Sequence, residues 1–227
     1  MQLRPLHSWD TTPTEAVGIQ KALAQLIDVR RPLPEWDLVA AADVSYRRFD
    51  PVLHAAVVLW SAHQGRQIAV AQATIRTDFP YVPGLLSFRE APVILEAFQR
   101  LETRPDVVLV DGHGLAHPRQ FGIACHLGLW LDLPTIGCAK TRLCGSYREP
   151  GIKRGCLSPI RLAKKHVGYV VRTRTGVKPV FVSAGHRIDL ASAVRIVLDT
   201  CRGYRLPEPA RLAHQRVNDI RRSWVGR

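Results

Sequence analysis

The sequence predicts an α/β fold, a mixed central sheet flanked by helices on both faces, and three observations carry that expectation. Three short apolar runs follow one another at Leu38–Asp43, Leu53–Trp60 and Gln67–Thr74, with polar or glycine-containing turns between them. From Ala91 onward, apolar strands alternate with stretches of helical periodicity, as they do when helices cover both sides of a sheet. With 227 residues, 46% of them hydrophobic, the chain can bury one large core, so a single domain over 1–227 is expected.

The elements follow in order. Thr14–Val29 sets Ala16, Ile19, Leu23, Leu26 and Ile27 at helical spacing, after a threonine able to cap them and before the breaker Arg30-Arg-Pro-Leu-Pro34. The three apolar runs read as an antiparallel meander. Ala91–Leu101 is expected to be helical, Asp106–Asp111 a buried strand and Gln120–Leu131 a buried helix. Pro134–Ala139 and Pro179–Ser183 read as further strands, with Ile188–Cys201 and Pro209–Trp224 as closing helices. No internal repeat or low-complexity segment is visible.

Thirty-two Lys and Arg stand against nineteen Asp and Glu, a formal charge of +13, which points to a polyanionic partner. The surplus is concentrated between Lys140 and Lys178, with eleven basic residues and the single acid Glu149. A solvated surface that keeps the protein in solution fits the charge equally well. Five cysteines without a C-x-x-C pair argue against a disulfide framework and against a zinc knuckle. With no apolar run long enough to span a membrane, they suggest reduced thiols in a soluble cytoplasmic protein.

Asp43 and Asp111 each end an apolar run. Strand ends in a mixed sheet are where side chains from separate elements meet a cleft. Two carboxylates side by side repel, and a divalent cation such as Mg²⁺ between them relieves the repulsion. A strand-end Asp also commonly starts a turn, and that reading stays open. Glu90 is a third candidate. Ser87-Phe-Arg-Glu90 matches a capping box, but Pro92 would then fall beyond the first turn, so the helix is expected to begin at Pro92 and leave Glu90 in the approach loop. His113 and His117 lie four apart, but the glycines and Pro118 around them rule out a helical zinc site. His214 falls at the margin of the apolar face of the last helix and by itself reads as a surface group, while its neighbours Asn218 and Arg221 keep a site role open.

Pro80-Tyr-Val-Pro-Gly-Leu-Leu-Ser-Phe-Arg-Glu90, Val110-Asp-Gly-His-Gly-Leu-Ala-His-Pro-Arg119 and Gly137-Cys-Ala-Lys-Thr-Arg-Leu-Cys-Gly145, in that order, resemble the signature segments of the endonuclease V family. Ala42–Tyr46, Ser183–Arg187 and Gly203–Pro209 extend the likeness over nearly the whole chain. The resemblance implies an RNase H-like fold and a magnesium-dependent DNA repair endonuclease, with Mn²⁺ able to replace Mg²⁺. Its substrate would be DNA containing deoxyinosine or another deaminated base, cut at the second phosphodiester bond 3′ to the lesion to leave a 3′-hydroxyl and a 5′-phosphate. Matching positions make Asp43, Glu90 and Asp111 the metal ligands, with His214 completing the site and Lys140 near the scissile phosphate. Gly84, Leu86, Gly112 and Ile123 would line the base pocket, and Tyr81, Val82 and Pro83 would form a wedge that fills the gap left by the extruded base. Cys138 departs from the expected Val, and some relatives carry an acid at the position of His214. A monomer is expected. The alternatives are an inosine-specific endoribonuclease of the same fold and a basic nucleic-acid-binding module that cuts nothing.

Overall fold

The computed structural model describes residues 1–48 and 50–224. One eight-stranded sheet organises them, built from β1 (Leu38–Ser45), β2 (Val52–Ser61), β3 (Arg66–Arg76), β4 (Val107–Val110), β5 (Thr135–Ala139), β6 (Leu157–Leu162), β7 (Lys165–Val171) and β8 (Val180–His186). The spatial order is β3-β2-β1-β4-β5-β8-β7-β6. The expected meander β1-β2-β3 is antiparallel, β4 and β5 add in parallel to β1, and the remaining strands are antiparallel.

Alternation along the strands splits the core in two. Ala40, Ala42, Val108 and Val110 face one side, beneath α2 (Leu86–Gln99) and α3 (Ile123–Leu131). Val39, Ala41, Val107 and Leu109 face the other, beneath α4 (Leu190–Asp199) and α5 (Glu208–Ser223). Because both faces are covered, the central strands read as continuous apolar runs. The first helix, α1 (Pro13–Leu23), starts at a capping box in which Thr12 and Glu15 exchange hydrogen bonds. It is shorter than its periodicity suggests and tightens into a 3₁₀ turn over Ala24–Leu26.

Two expectations are corrected. Glu90 is not in a loop: α2 begins at Leu86 and runs through Pro92. A proline there lacks the N–H that would bond the Phe88 carbonyl, a cost of about 3 kcal/mol. Burial of Phe88, Ala91, Val93, Ile94, Leu95, Ala97 and Phe98 outweighs it. Ser87 is no cap either, and its hydroxyl pairs instead with His126 Nδ1 at 3.1 Å. The second correction is the hairpin β6-β7, which the sequence reading left unassigned. Lys and Arg at its outward positions and Pro159 within β6 mask its alternation, and proline is tolerated because β6 is an edge strand.

The parallel turn after β4 packs directly on β5. A Cβ on Gly137 would sit 2.5 Å from the Gly114 nitrogen and 2.7 Å from the Gly112 oxygen, both backbone atoms that cannot swing aside. Gly137→Ala is therefore expected to destabilise the protein by roughly 1–3 kcal/mol, read as a fall of several degrees in Tm. An unchanged Tm would mean that the Gly112–Gly114 turn is free to move.

Candidate active site

The parallel register of β1 and β4 pairs Ala42 with Val110, so the next residues, Asp43 and Asp111, stand side by side. Alternation directs both toward the α4–α5 side of the sheet. Glu90 approaches from α2 and is almost fully buried. The acids act on one another. Burial and then the neighbouring Asp111 hold Asp43 above the usual carboxylate range. Burial and then Asp43 push Glu90 up to about 8, while a hydrogen bond from the Tyr46 hydroxyl acts in the opposite direction. Tyr46 itself is pushed up to about 12 by its burial and by Glu90.

Cationic and polar groups answer this charge. Lys140, one residue beyond β5, forms an ion pair with Asp111. Burial alone would lower its pKa, but Asp111 reverses that and raises it. His214 on α5 meets Asp43 Oδ2 through Nδ1 at 2.7 Å. Its Nε2 lies 3.1 Å from Asn218 Nδ2, and Asn218 Oδ1 accepts from the Ser45 hydroxyl at 3.0 Å. Nδ1 thus faces Asp43 and Nε2 faces Asn218. Ser45 and Asn218 thus hold His214 against Asp43. Their type gave no signal, although i, i+4 spacing on a helix already placed Asn218 beside His214.

The carboxylate oxygens are the hard donors that a divalent cation such as Mg²⁺ prefers, and Asp43 and Glu90 are both raised, first by burial and then by a neighbouring carboxylate. The donor set therefore fits such an ion. As placed, Lys140 and His214 are the partners of Asp111 and Asp43, and among the described residues no three His, Cys, Asp or Glu side chains converge as ligands on one point. The Nε2 atoms of His113 and His117 bond the carbonyls of Thr141 (3.1 Å) and Gly84 (3.0 Å).

Beside the carboxylates lies a cleft of about 420 Å³. Tyr81, Val82, Pro83, Gly84, Leu86, Gly112 and Ile123 all line it, together with Asp111 and Lys140. A Cβ on Gly112 would meet Ile123 Cγ2 at 2.5 Å, so any larger residue there would force Ile123 to shift. Arg142 and Leu143, which the sequence reading did not single out, close the side near Lys140. Tyr81 is 65% exposed, yet its loop is anchored from behind. Gly84, at φ +80°, offers its carbonyl to Gln20 Nε2 (3.1 Å), His117 Nε2 (3.0 Å) and Arg119 Nη2 (2.6 Å). Arg119 Nε in turn donates to Gln20 Oε1 at 2.5 Å.

The mixed sheet with helices on both faces and acids toward the C-terminal ends of β1 and β4 defines a nuclease of RNase H-like fold. Residues 21–215 match the sequence model of endonuclease V, and the chain belongs to the endonuclease V family of metal-dependent nucleases. It is 52% identical to the endonuclease V of Methanothrix thermoacetophila over 94% of each chain. The crystal structure of endonuclease V from Streptomyces avermitilis is 40% identical and superposes with a TM-score of 0.89 over 97% of each chain. That of Ciona intestinalis endonuclease V, in complex with a DNA containing an inosine followed by a ribo-adenosine, is 25% identical, with a TM-score of 0.78 over 91% of this chain and 96% of that one.

The Gly84 anchor makes stability depend on pH. His117 is 3% exposed, and burial followed by the nearby Arg119 lowers its pKa from 6.5 to about 4. Its Nδ1 accepts from the Arg119 amide, so protonation would set donor against donor. Between pH 6.5 and about 4 the unfolded chain binds the proton that the folded chain refuses. The contribution is complete above pH 6.5 and is lost as pH falls toward 4, to an extent on the order of 3 kcal/mol. His117→Gln keeps a donor for Gly84 but does not titrate. In urea unfolding at about pH 7.5 and pH 4.5, wild type is expected to lose more stability on acidification than His117→Gln; equal losses would show that His117 takes up a proton in place.

Proposed function

We propose that this protein is a DNA repair endonuclease that recognises deoxyinosine and other deaminated bases and hydrolyses the second phosphodiester bond 3′ to the lesion, leaving a 3′-hydroxyl and a 5′-phosphate. The observation that carries this reading is the adjacency of the cleft to the acids: Asp111 lines the cleft, and so does Gly112, the next residue. A base held there places its own strand across Asp43 and Glu90. The DNA bound to the Ciona protein contains inosine, which supports the same lesion here.

Inosine carries a carbonyl where adenine has an amine, so its pocket must donate to an oxygen and accept from a ring N–H. Backbone groups of Gly84, Leu86, Gly112 and Ile123 supply both, because glycine lets the main chain come close. Tyr81, Val82 and Pro83 are the wedge, held rigid by the clamp on Gly84. Asp43, Glu90 and Asp111 are the ligands for Mg²⁺, with Mn²⁺ an acceptable substitute, and the bound ion supplies an activated water and offsets charge growing on the phosphate. His214 orients Asp43 through Nδ1, and Lys140 offers a further positive charge beside Asp111. One domain over 1–227, acting as a cytoplasmic monomer, suffices for this chemistry.

An end-labelled duplex with a single deoxyinosine tests the reading. A nick one nucleotide beyond the lesion on its 3′ side, present with Mg²⁺ and absent with EDTA, is the expected product. Binding without any nick, with the RNA counterpart also uncut, would leave a binding module. Asp111→Asn should retain binding and lose at least about a hundredfold in cleavage rate; an undiminished rate would remove Asp111 from the metal site. Affinity should also fall steeply between about 50 and 200 mM salt as the Lys140–Lys178 cations displace counterions from phosphates, whereas a flat salt profile would assign that charge to solvation alone.

A further inference from the structure

A second groove, of about 940 Å³, opens on the other side of the wedge. Tyr81 is a wall of both cavities. The remaining walls of the second include Tyr46, Pro51 and Pro80, with Arg89 at its base. Contacts run in series from one cavity to the other. Lys140 pairs with Asp111 at the cleft, Asp111 adjoins Asp43 and Glu90, and Glu90 accepts from Tyr46, whose ring borders the second groove.

Arg48 and Asp78, of opposite charge, both line the groove, and its buried cation is Arg89. It is 7% exposed and donates to the carbonyls of Phe79 (2.5 Å) and Asp50 (2.9 Å), while its guanidinium lies 5.1 Å from the centre of the Tyr46 ring. Both carbonyls are neutral, so these bonds orient the guanidinium without cancelling its charge. Aromatic and proline walls offer flat apolar faces, Thr77 and Asp78 offer hydrogen-bonding groups at the rim, and the cation favours a phosphate. That combination suits a nucleotide.

We infer that this groove is a second nucleotide subsite, which receives the nucleotide immediately 3′ of the cut. The inference rests on the reading given under Proposed function. With the deaminated base in the cleft and the scissile phosphate over the acids, the strand leaves past Glu90 and Tyr46. Because the cut lies 3′ of the lesion, what leaves on that side is the 3′ portion. Tyr81 then separates two held nucleotides and fixes the spacing between lesion and cut.

The test uses fluorescence anisotropy in EDTA, where no cut is expected, on inosine duplexes that differ in one position. Removing the base of the nucleotide 3′ of the cut should weaken binding to wild type about tenfold, the scale of one lost base–aromatic stack. Asp78 is exposed, and Asp78→Trp fills the rim; this variant should bind the intact duplex about as weakly as wild type binds the abasic one, with no further loss on the abasic duplex. Thr77→Trp is the second obstruction, should the first disturb folding. No loss for wild type on the abasic duplex, or an equal further loss for the obstructed variants, would overturn the subsite. So would a penalty that appears only when the base opposite inosine is removed. An adenine-for-inosine control separates the two readings: if inosine binds no better than adenine, lesion recognition itself fails, whereas a kept inosine preference with an indifferent 3′ nucleotide refutes this subsite alone.

Discussion

The parallel pairing of β1 with β4 is the constraint on which the rest of the site depends. It brings Asp43 and Asp111 to the same level of the sheet, where burial makes their mutual repulsion expensive. Glu90 deepens the problem from the α2 side. Each polar neighbour reads as a response to that charge: Lys140 on Asp111, the His214–Asn218–Ser45 string on Asp43 and Tyr46 on Glu90. Three different elements, β5, α5 and the end of β1, are thereby tied to one point, and any loss of alignment in the central strands is felt by all of them.

The cleft follows another principle. In the function proposed above, base recognition falls to backbone groups, so its accuracy depends on where the chain is held. The Gly84 carbonyl has two lone pairs and three donors around it, more than it can bond fully at once. Such crowding leaves the carbonyl one position and transfers the rigidity of α1 and the Arg119 turn to the loop that carries Tyr81. The exposed tyrosine thus sits on a loop anchored three residues away.

Much of this was legible in the sequence because the signals were local. Apolar runs marked β1, β2 and β4, their terminal acids marked Asp43 and Asp111, and ordered segments such as Pro80–Glu90 pointed to the wall of the cleft. Two kinds of feature were not legible. Pro92 reads as a helix start because local propensity disfavours it elsewhere, and only the apolar surface that α2 buries in three dimensions reverses that preference. The clamp on Gly84 joins residues far apart in the chain, Gln20 and Arg119 among them, and no spacing rule connects them. Strands β6 and β7 fell between these cases, since their pattern was present but covered by charge and proline.

That same hairpin shows how a chain with so many cations keeps its backbone out of unwanted partnerships. The outer rim of β6 is partly occupied, because Ser146 and Arg161 exchange backbone hydrogen bonds at 2.8 and 2.9 Å. Pro159, two residues earlier, has no N–H to give. Another strand docking here would find too few open donors and acceptors in a row to add itself to the sheet. In the most basic part of the chain, growth by strand addition is thus closed off.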